Sequence, residues 1–144
     1  MAWLEILKYL QTELKKQKAA QEIKLGAYDP RTIKNTDGII LLMRGNEQPD
    51  SDSDMVDYEN ITLYLECWIR YDGTELSVGY EKLAALEKKV DDVLQKIRDT
   101  SGMVKNNIQL MDIRVSRKTG DPGGSRPLYG VQYEMLVTVY EREV

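Results

Sequence analysis

The fold of this chain is decided by residues 61–71, which read ITLYLECWIRY. Every odd-numbered position is apolar or aromatic, while the even-numbered positions carry Thr, Tyr, Glu, Trp and Arg. Side chains of a β-strand alternate between the two faces of its sheet, so this pattern predicts one apolar face and one amphipathic face. Tyr64 and Trp68 share the amphipathic face. We expect these aromatic side chains to contact either another protein or a second layer of the same chain.

Helical periodicity is present on both sides of that strand. Apolar residues spaced by three and four predict one helix at residues 2–20 and another at residues 77–99. The order of elements, α-β-β-β-α-β-β, predicts an α+β fold. It is a two-layer sandwich in which two helices pack on an antiparallel or mixed sheet of about five strands, within one domain spanning residues 1–144. The other predicted strands span residues 22–28, 38–44, 107–117 and 128–142.

The apolar stripes of these elements predict a common core between sheet and helices. The polar, turn-rich segments 46–56 and 119–126 hold few apolar groups, so we expect both segments to be mobile. The predicted core residues are Leu63, Leu65, Cys67, Leu83, Leu86, Val90, Val137 and Val139.

The composition excludes several kinds of site. The 144 residues include no histidine, so no Ser-His or Cys-His pair and no histidine-containing zinc site can form. A single cysteine, Cys67, allows no internal disulfide, which suits a reducing compartment. The net charge of −4 disfavours a protein that binds nucleic acid through phosphates, and no apolar run is long enough for a transmembrane helix or a signal peptide. We expect no cofactor, no metal, no membrane contact and no sequence-specific nucleic-acid partner.

The acidic segment that precedes the central strand has the strongest charge bias in the chain. Asp50, Asp52 and Asp54 have the spacing that opens an EF-hand calcium loop, but Met55 replaces the required Gly and Ile61 the bidentate Glu. No Lys or Arg occurs from residue 45 to residue 69, so the segment predicts a solvated loop with a negative field.

A basic patch surrounds the glycine-rich connection at residues 120–125. That connection lacks the Gly-Lys-Ser/Thr ending of a phosphate-binding loop and joins two strands, so a nucleotide site is not expected there. The patch is either ordinary surface charge or an arm that meets an acidic surface of a neighbour. It consists of Arg114, Arg117, Lys118 and Arg126.

Paired carboxylates are the only catalytic chemistry that the composition permits. Asp57 with Glu59 or Glu66 would be such a pair, but no acid lies in an apolar run that would raise its pKa. The sequence therefore favours an assembly module over an enzyme.

The order of elements resembles that of the tail terminator proteins of long-tailed bacteriophages, the minor tail or tail-completion proteins that cap the tail tube. Residues 59–68 and 77–97 resemble the central strand and helix of that family, and residues 131–140 resemble its closing strand. The resemblance covers nearly the whole chain as an order of elements. Its departures are a long Gly/Pro loop at residues 119–127 and a longer acidic loop.

The resemblance implies a non-enzymatic virion structural protein of a phage or prophage. Such a protein forms a hexameric ring, ends polymerisation of the tail tube and joins the tail to the head. Its partners would be further copies of itself, the major tail tube protein and the head–tail connector protein. It would lie in the virion tail and, during assembly, in the cytoplasm of the host bacterium. Other classes stay open: another neck or connector component, a monomeric or dimeric adaptor, and a small carboxylate enzyme.

The expected interface combines the amphipathic face of the central strand with the two loops and the basic patch. Aromatic and arginine side chains contribute most of the binding energy at protein interfaces. The candidate interface residues are Tyr64, Trp68, Arg70, Asp50, Asp52, Asp54, Arg114, Arg117 and Arg126.

Overall fold

A computed structural model describes residues 2–26, 32–33, 38–49, 58–100, 102–105, 107–121 and 126–141. The predicted α+β class is confirmed, because two helices pack on a mixed sheet. In chain order, the elements are α1 (Ala2–Lys16), β1 (Glu22–Leu25), β2 (Ile39–Pro49), β3 (Tyr58–Arg70), α2 (Leu76–Thr100), β4 (Met103–Lys105), β5 (Ile108–Gly120) and β6 (Leu128–Glu141).

The six strands form one sheet in the order β1-β2-β3-β6-β5-β4. The β1–β2 pair is parallel and every other neighbouring pair is antiparallel. Strand β3 is paired with β6 along its full length, from Tyr58 opposite Tyr140 to Arg70 opposite Leu128. The two longest alternating segments of the sequence therefore form the centre of the sheet.

The core lies between one face of the sheet and the two helices. Odd-numbered residues of β3 and β6 meet the apolar stripes of α1 and α2 in one continuous cluster. All eight predicted core residues are buried there, so the predicted helix and strand faces are confirmed. Within the described part of the chain, no helix has the length and apolar character needed to cross a bilayer.

Cys67 lies in the middle of this core with none of its surface exposed. Burial, assisted by the nearby Glu87 and Asp91 carboxylates, raises the pKa of the Cys67 thiol well above its usual range. The residue therefore acts as a small buried hydrophobe, as the sequence predicts.

Helix α1 is shorter than predicted because a specific cap ends it. The N–H of Lys18 donates to the carbonyl of Lys15 at 3.0 Å, and the N–H of Ala19 donates to that of Leu14 at 3.1 Å. Lys18 has the left-handed φ of 52° that this pair of hydrogen bonds requires. The pattern is a Schellman motif, and buried Ala19 and Leu14 provide its apolar contact.

Two predicted loops are partly strand. Strand β2 continues past residue 44 through a register shift and pairs with β3 as far as Pro49, and β5 continues to Gly120. Residues 50–56 and 122–125 of the segments expected to be mobile lie outside the described residues. Strand β4 was not predicted.

Candidate functional site

The face of the sheet opposite the helices, here called the open face, has a polar surface. Tyr64 on β3 lies opposite Glu134 on β6, which in turn lies opposite Arg117 on β5. Arg114 lies opposite Leu136 in the neighbouring row. The register thus brings three of the predicted interface residues, from two distant segments, onto one surface. The open face comprises Asn60, Thr62, Tyr64, Glu66, Asp112, Arg114, Arg117, Gln132, Glu134, Leu136 and Thr138.

A shallow groove of about 500 Å³ crosses the open face. Its lining mixes hydroxyl, amide and charged groups from four strands, and the Thr138 hydroxyl donates to Asn60 Oδ1 at 3.2 Å. Arg114 borders this groove, is exposed, and has no ion-pair partner among the described residues. The lining contains one aspartate, Asp112, beside Arg114, so the groove suits a polar partner.

Trp68 lies on the same face of β3 as Tyr64, but it is not exposed there, as a place in the candidate interface would require. Its exposed fraction is 2% because Ile33, Leu41 and Leu128 pack around it in a second, smaller apolar cluster. A Cβ on Gly130, directly across the β3–β6 ladder, would lie 2.6 Å from the indole ring. The expectation of an exposed Trp68 is therefore wrong, since the second layer is supplied by the chain itself.

Arg70 helps to hold this second layer in place. Its Nε donates to Asp72 Oδ1 at 3.0 Å, and its Nη1 donates to the Ile33 carbonyl at 3.3 Å. On the other side, the indole N–H of Trp68 donates to Glu66 Oε1 at 2.9 Å, and Gln132 Nε2 donates to Glu66 Oε2 at 3.0 Å. The structure thus assigns Trp68 and Arg70 to packing of the chain's own layers.

Arg126 joins the start of β6 to the N-terminal turns of α2. Its guanidinium lies 3.9 Å from the ring centre of Tyr129 and 4.9 Å from that of Tyr80. It donates hydrogen bonds to the Leu128 carbonyl at 2.9 Å and to the Tyr80 hydroxyl, while that hydroxyl donates to Asp121 Oδ2 at 2.8 Å. Although partial burial opposes the change, hydrogen bonds from Tyr80 and Arg126 lower the pKa of Asp121. The sequence contains no periodic signal for this cluster, because its members come from three separate segments.

Gly79 allows α2 to approach the same cluster. A Cβ at this position would lie 2.2 Å from the ring of Tyr129, whose exposed fraction is 1%.

We expect Gly79→Ala to destabilise the protein by about 1–3 kcal/mol through overpacking, despite the better helix propensity of alanine. Urea unfolding measures the change. Gly120→Ala is the matched control, since no atom lies within 4 Å of its added Cβ. Equal stabilities for the two variants would contradict the packing at Gly79.

The basic patch predicted from the sequence is divided between the two faces. Lys118 lies on the helix side, with its ammonium 4.5 Å from the ring centre of Tyr133 and 3.1 Å from Asp91 Oδ2. The Tyr133 hydroxyl donates to Asp91 Oδ1 at 2.9 Å, and burial raises the pKa of this phenol. Lys118 therefore joins Asp91 and Tyr133 at the border of the core, while Arg114 and Arg117 belong to the open face.

Strand β5 forms a protected sheet edge. Strand β4 pairs only with its first residues, through Met103 opposite Gln109 and Lys105 opposite Ile108. Two register shifts interrupt β5, one after Leu110 and one after Val115. Bulges and charged side chains on an edge strand disfavour pairing with unrelated strands.

The structure also locates the predicted carboxylates. Burial, together with the Glu47 and Glu141 carboxylates, raises the pKa of Glu59. Asp50, Asp52, Asp54 and Asp57 lie outside the described residues. Among the residues that are described, no group of three or more His, Cys, Asp or Glu side chains could hold a metal ion.

No protein-family model and no curated protein sequence matches this chain. Among solved structures, it is similar to a chain of the virion of the native gene transfer agent particle, with a TM-score of 0.52 and 12% identity over 91% of this chain and 84% of that chain. It is also similar to the sheath/tube terminator of the extracellular contractile injection system PVC in its extended state. There the TM-score is 0.49 and the identity is 10%, over 99% of this chain and 58% of the terminator chain. The likeness to the gene transfer agent chain shows a shared fold.

Proposed function

We propose that this protein is a non-enzymatic structural component of a phage or prophage virion that caps the tail tube, ends its polymerisation and joins the tail to the head. The observation that carries the proposal is the fold shared with a virion chain over 91% of the present chain. The tail-terminator-like order of elements adds the more specific role. In this role the protein acts as a hexameric ring whose neighbours are the major tail tube protein and the head–tail connector protein.

The open face is the proposed contact surface. Tyr64, Arg114 and Arg117 stand together on it, on strands held rigidly by the core beneath. Partly exposed aromatic and arginine side chains on a rigid base lose little conformational entropy on binding, which makes them effective anchors. Trp68, Arg70 and Arg126 contribute indirectly, because they hold the layers and turns that border this surface.

Charge reversal on the open face tests the role. We expect Arg114→Glu combined with Arg117→Glu to cost at least about 2 kcal/mol of association free energy while leaving the fold intact, because both side chains are exposed. A phage lacking the gene is complemented with the variant, and infectious particles and tail lengths are counted by electron microscopy. Few infectious particles, with tails of abnormal length, are the expected result.

Lys8→Glu combined with Lys15→Glu is the matched control, since both lysines are exposed on α1 and the change in charge is the same. This variant should complement fully. If the variant with both arginines replaced instead gives tails of normal length that lack heads, the result would favour a neck or connector component. Normal infectious particles formed without the protein would refute the proposed function.

A further inference from the structure

A groove in the helical layer has an apolar floor and a rim of lysines. It encloses about 510 Å³ between the end of α1 and the middle of α2. Ile69 and Leu86 contribute to its floor, and Lys18, Lys82 and Lys89 line it, with no Asp or Glu among the described lining residues. The lysine rim would attract carboxylates, and the apolar floor would contact apolar side chains. The groove therefore suits a peptide segment that carries both.

The lysines of this groove are not neutralised within the described chain. Lys82 and Lys89 are seven residues apart on α2, which places them on the same side of the helix. None of the three ammonium groups has an ion-pair partner among the residues that the structure describes. In a protein with net charge −4, three lysines thus lie at one groove without an ion-pair partner in the described part of the chain.

Lys18 occupies its position at a conformational cost. It is the left-handed residue of the Schellman cap that ends α1, where glycine is the usual residue. A lysine here places a further positive charge at the groove.

The opposite charge lies at the other end of the sheet. Glu47, Glu59 and Glu141 are close enough there for the first and third to raise the pKa of Glu59. The adjoining segment, residues 50–57, has the sequence DSDSDMVD, which adds four carboxylates and the apolar pair Met55 and Val56. This composition matches a groove with a lysine rim and an apolar floor.

Covalent geometry prevents the segment from reaching the groove of its own chain. Ile69 lies eleven residues along β3 from Tyr58, about 36 Å at the rise of a strand. The eight residues of the segment start and end on adjacent strands, since Pro49 pairs with Glu59. They can therefore extend at most about 15 Å from the sheet.

We propose that the lysine groove binds the acidic segment 50–57 of a second copy of this chain. Each copy has one groove and one acidic segment at opposite ends, so the contact is heterologous and joins copies head to tail. The contact differs from the one that the sequence suggests, in which the basic patch meets an acidic surface of a neighbour. It does not depend on a role in tail completion.

A labelled peptide tests the contact directly. Fluorescein-labelled peptide of residues 47–59, EQPDSDSDMVDYE, is titrated with the full-length protein at low salt, and its anisotropy is followed. We expect saturable binding that Lys82→Glu with Lys89→Glu weakens about tenfold or more, because two exposed charge contacts are reversed. The control variant, Lys8→Glu with Lys15→Glu, carries the same change in net charge outside the groove. It should change the affinity for the peptide by less than about threefold, because screened charges far from the groove contribute little.

Three outcomes of the peptide experiment would overturn the proposal. The first is equal weakening by the groove variant and the control variant. The second is equal binding of a peptide in which the four aspartates are replaced by asparagine. Duplex DNA of 20 base pairs is added as a competitor (length chosen as about two helical turns). Displacement of the peptide by this DNA at lower concentration than by unlabelled peptide would identify the groove as a phosphate site instead.

A charge exchange in the full chain gives an independent readout. Asp52→Lys with Asp54→Lys should lose self-association in sedimentation velocity, as should the groove variant. In an equimolar mixture of the two variants, the basic segment of one variant meets the acidic groove of the other. The mixture should therefore form a complex again. A mixture that sediments as the sum of its components would refute the proposal.

Discussion

Replacing Trp68 by alanine should lower the free energy of unfolding by about 3–5 kcal/mol. The indole is almost completely buried between Ile33, Leu41 and Leu128, and it covers Gly130 on the neighbouring strand. Removing it leaves a cavity that these groups can fill only partly. Urea unfolding followed by tyrosine fluorescence and far-UV circular dichroism measures the loss.

Trp68→Phe separates the packing contribution from that of the hydrogen bond. Phenylalanine keeps most of the apolar area but leaves Glu66 Oε1 without the indole donor. A smaller loss, about 1–2 kcal/mol, is expected for this variant. If Trp68→Ala has the stability of the parent, the second apolar cluster does not form as described. A loss of assembly in any Trp68 variant must therefore be compared with its stability before it is assigned to the interface.

Leu86→Ala should cost about 2–5 kcal/mol. Leu86 has an exposed fraction of 4% and joins α2 to the sheet, with its Cδ2 3.0 Å from the position of a Cβ on Gly38. Few neighbours can move into the space, because Ile69 belongs to the sheet below and Gly38 directly precedes β2. Thermal and urea unfolding provide the measurement.

Leu76→Ala is the matched control on the same helix. Leu76 is 52% exposed at the start of α2, so its replacement should change stability by less than about 0.5 kcal/mol. Similar losses at the two positions would show that the assigned buried face of α2 is wrong.

Long elements were predictable because their periodicity repeats several times. The stripe from Leu83 to Ile97 and the alternation from Ile61 to Ile69 each repeat over many residues, so a few exceptions do not hide them. Burial on the helix side then follows from the phase of the pattern, and all the predicted core residues are found there.

Short elements and element ends were not predictable in the same way. Strand β4 has only three residues, and its pairing with β5 depends on the tertiary fold. The parallel pairing of β1 with β2 has no local sequence signal, because parallel strands are not joined by a tight turn that a short sequence pattern could reveal. Helix α1 ends early through a cap built around Lys18, although propensity alone permits further turns.

The candidate site was predictable only as a choice between two faces. Alternation places Tyr64 and Trp68 on the same face of β3, but it does not indicate that Ile33 packs against Trp68 and buries it. Arg114 and Arg117 join Tyr64 through the register between β5 and β6, which includes a bulge that the sequence does not reveal. The lysine groove combines two helices and was missed for the same reason.

The complete burial of Cys67 has a practical consequence for measuring assembly. Only the thiolate reacts with maleimides, and this thiol is both inaccessible and held in its protonated form. A fluorophore or spin label can therefore be attached at a cysteine introduced on the open face, with the native sequence otherwise unchanged. Distances between labels on neighbouring copies would then give the geometry of the assembled particle. Reaction of Cys67 itself would report each opening of the core.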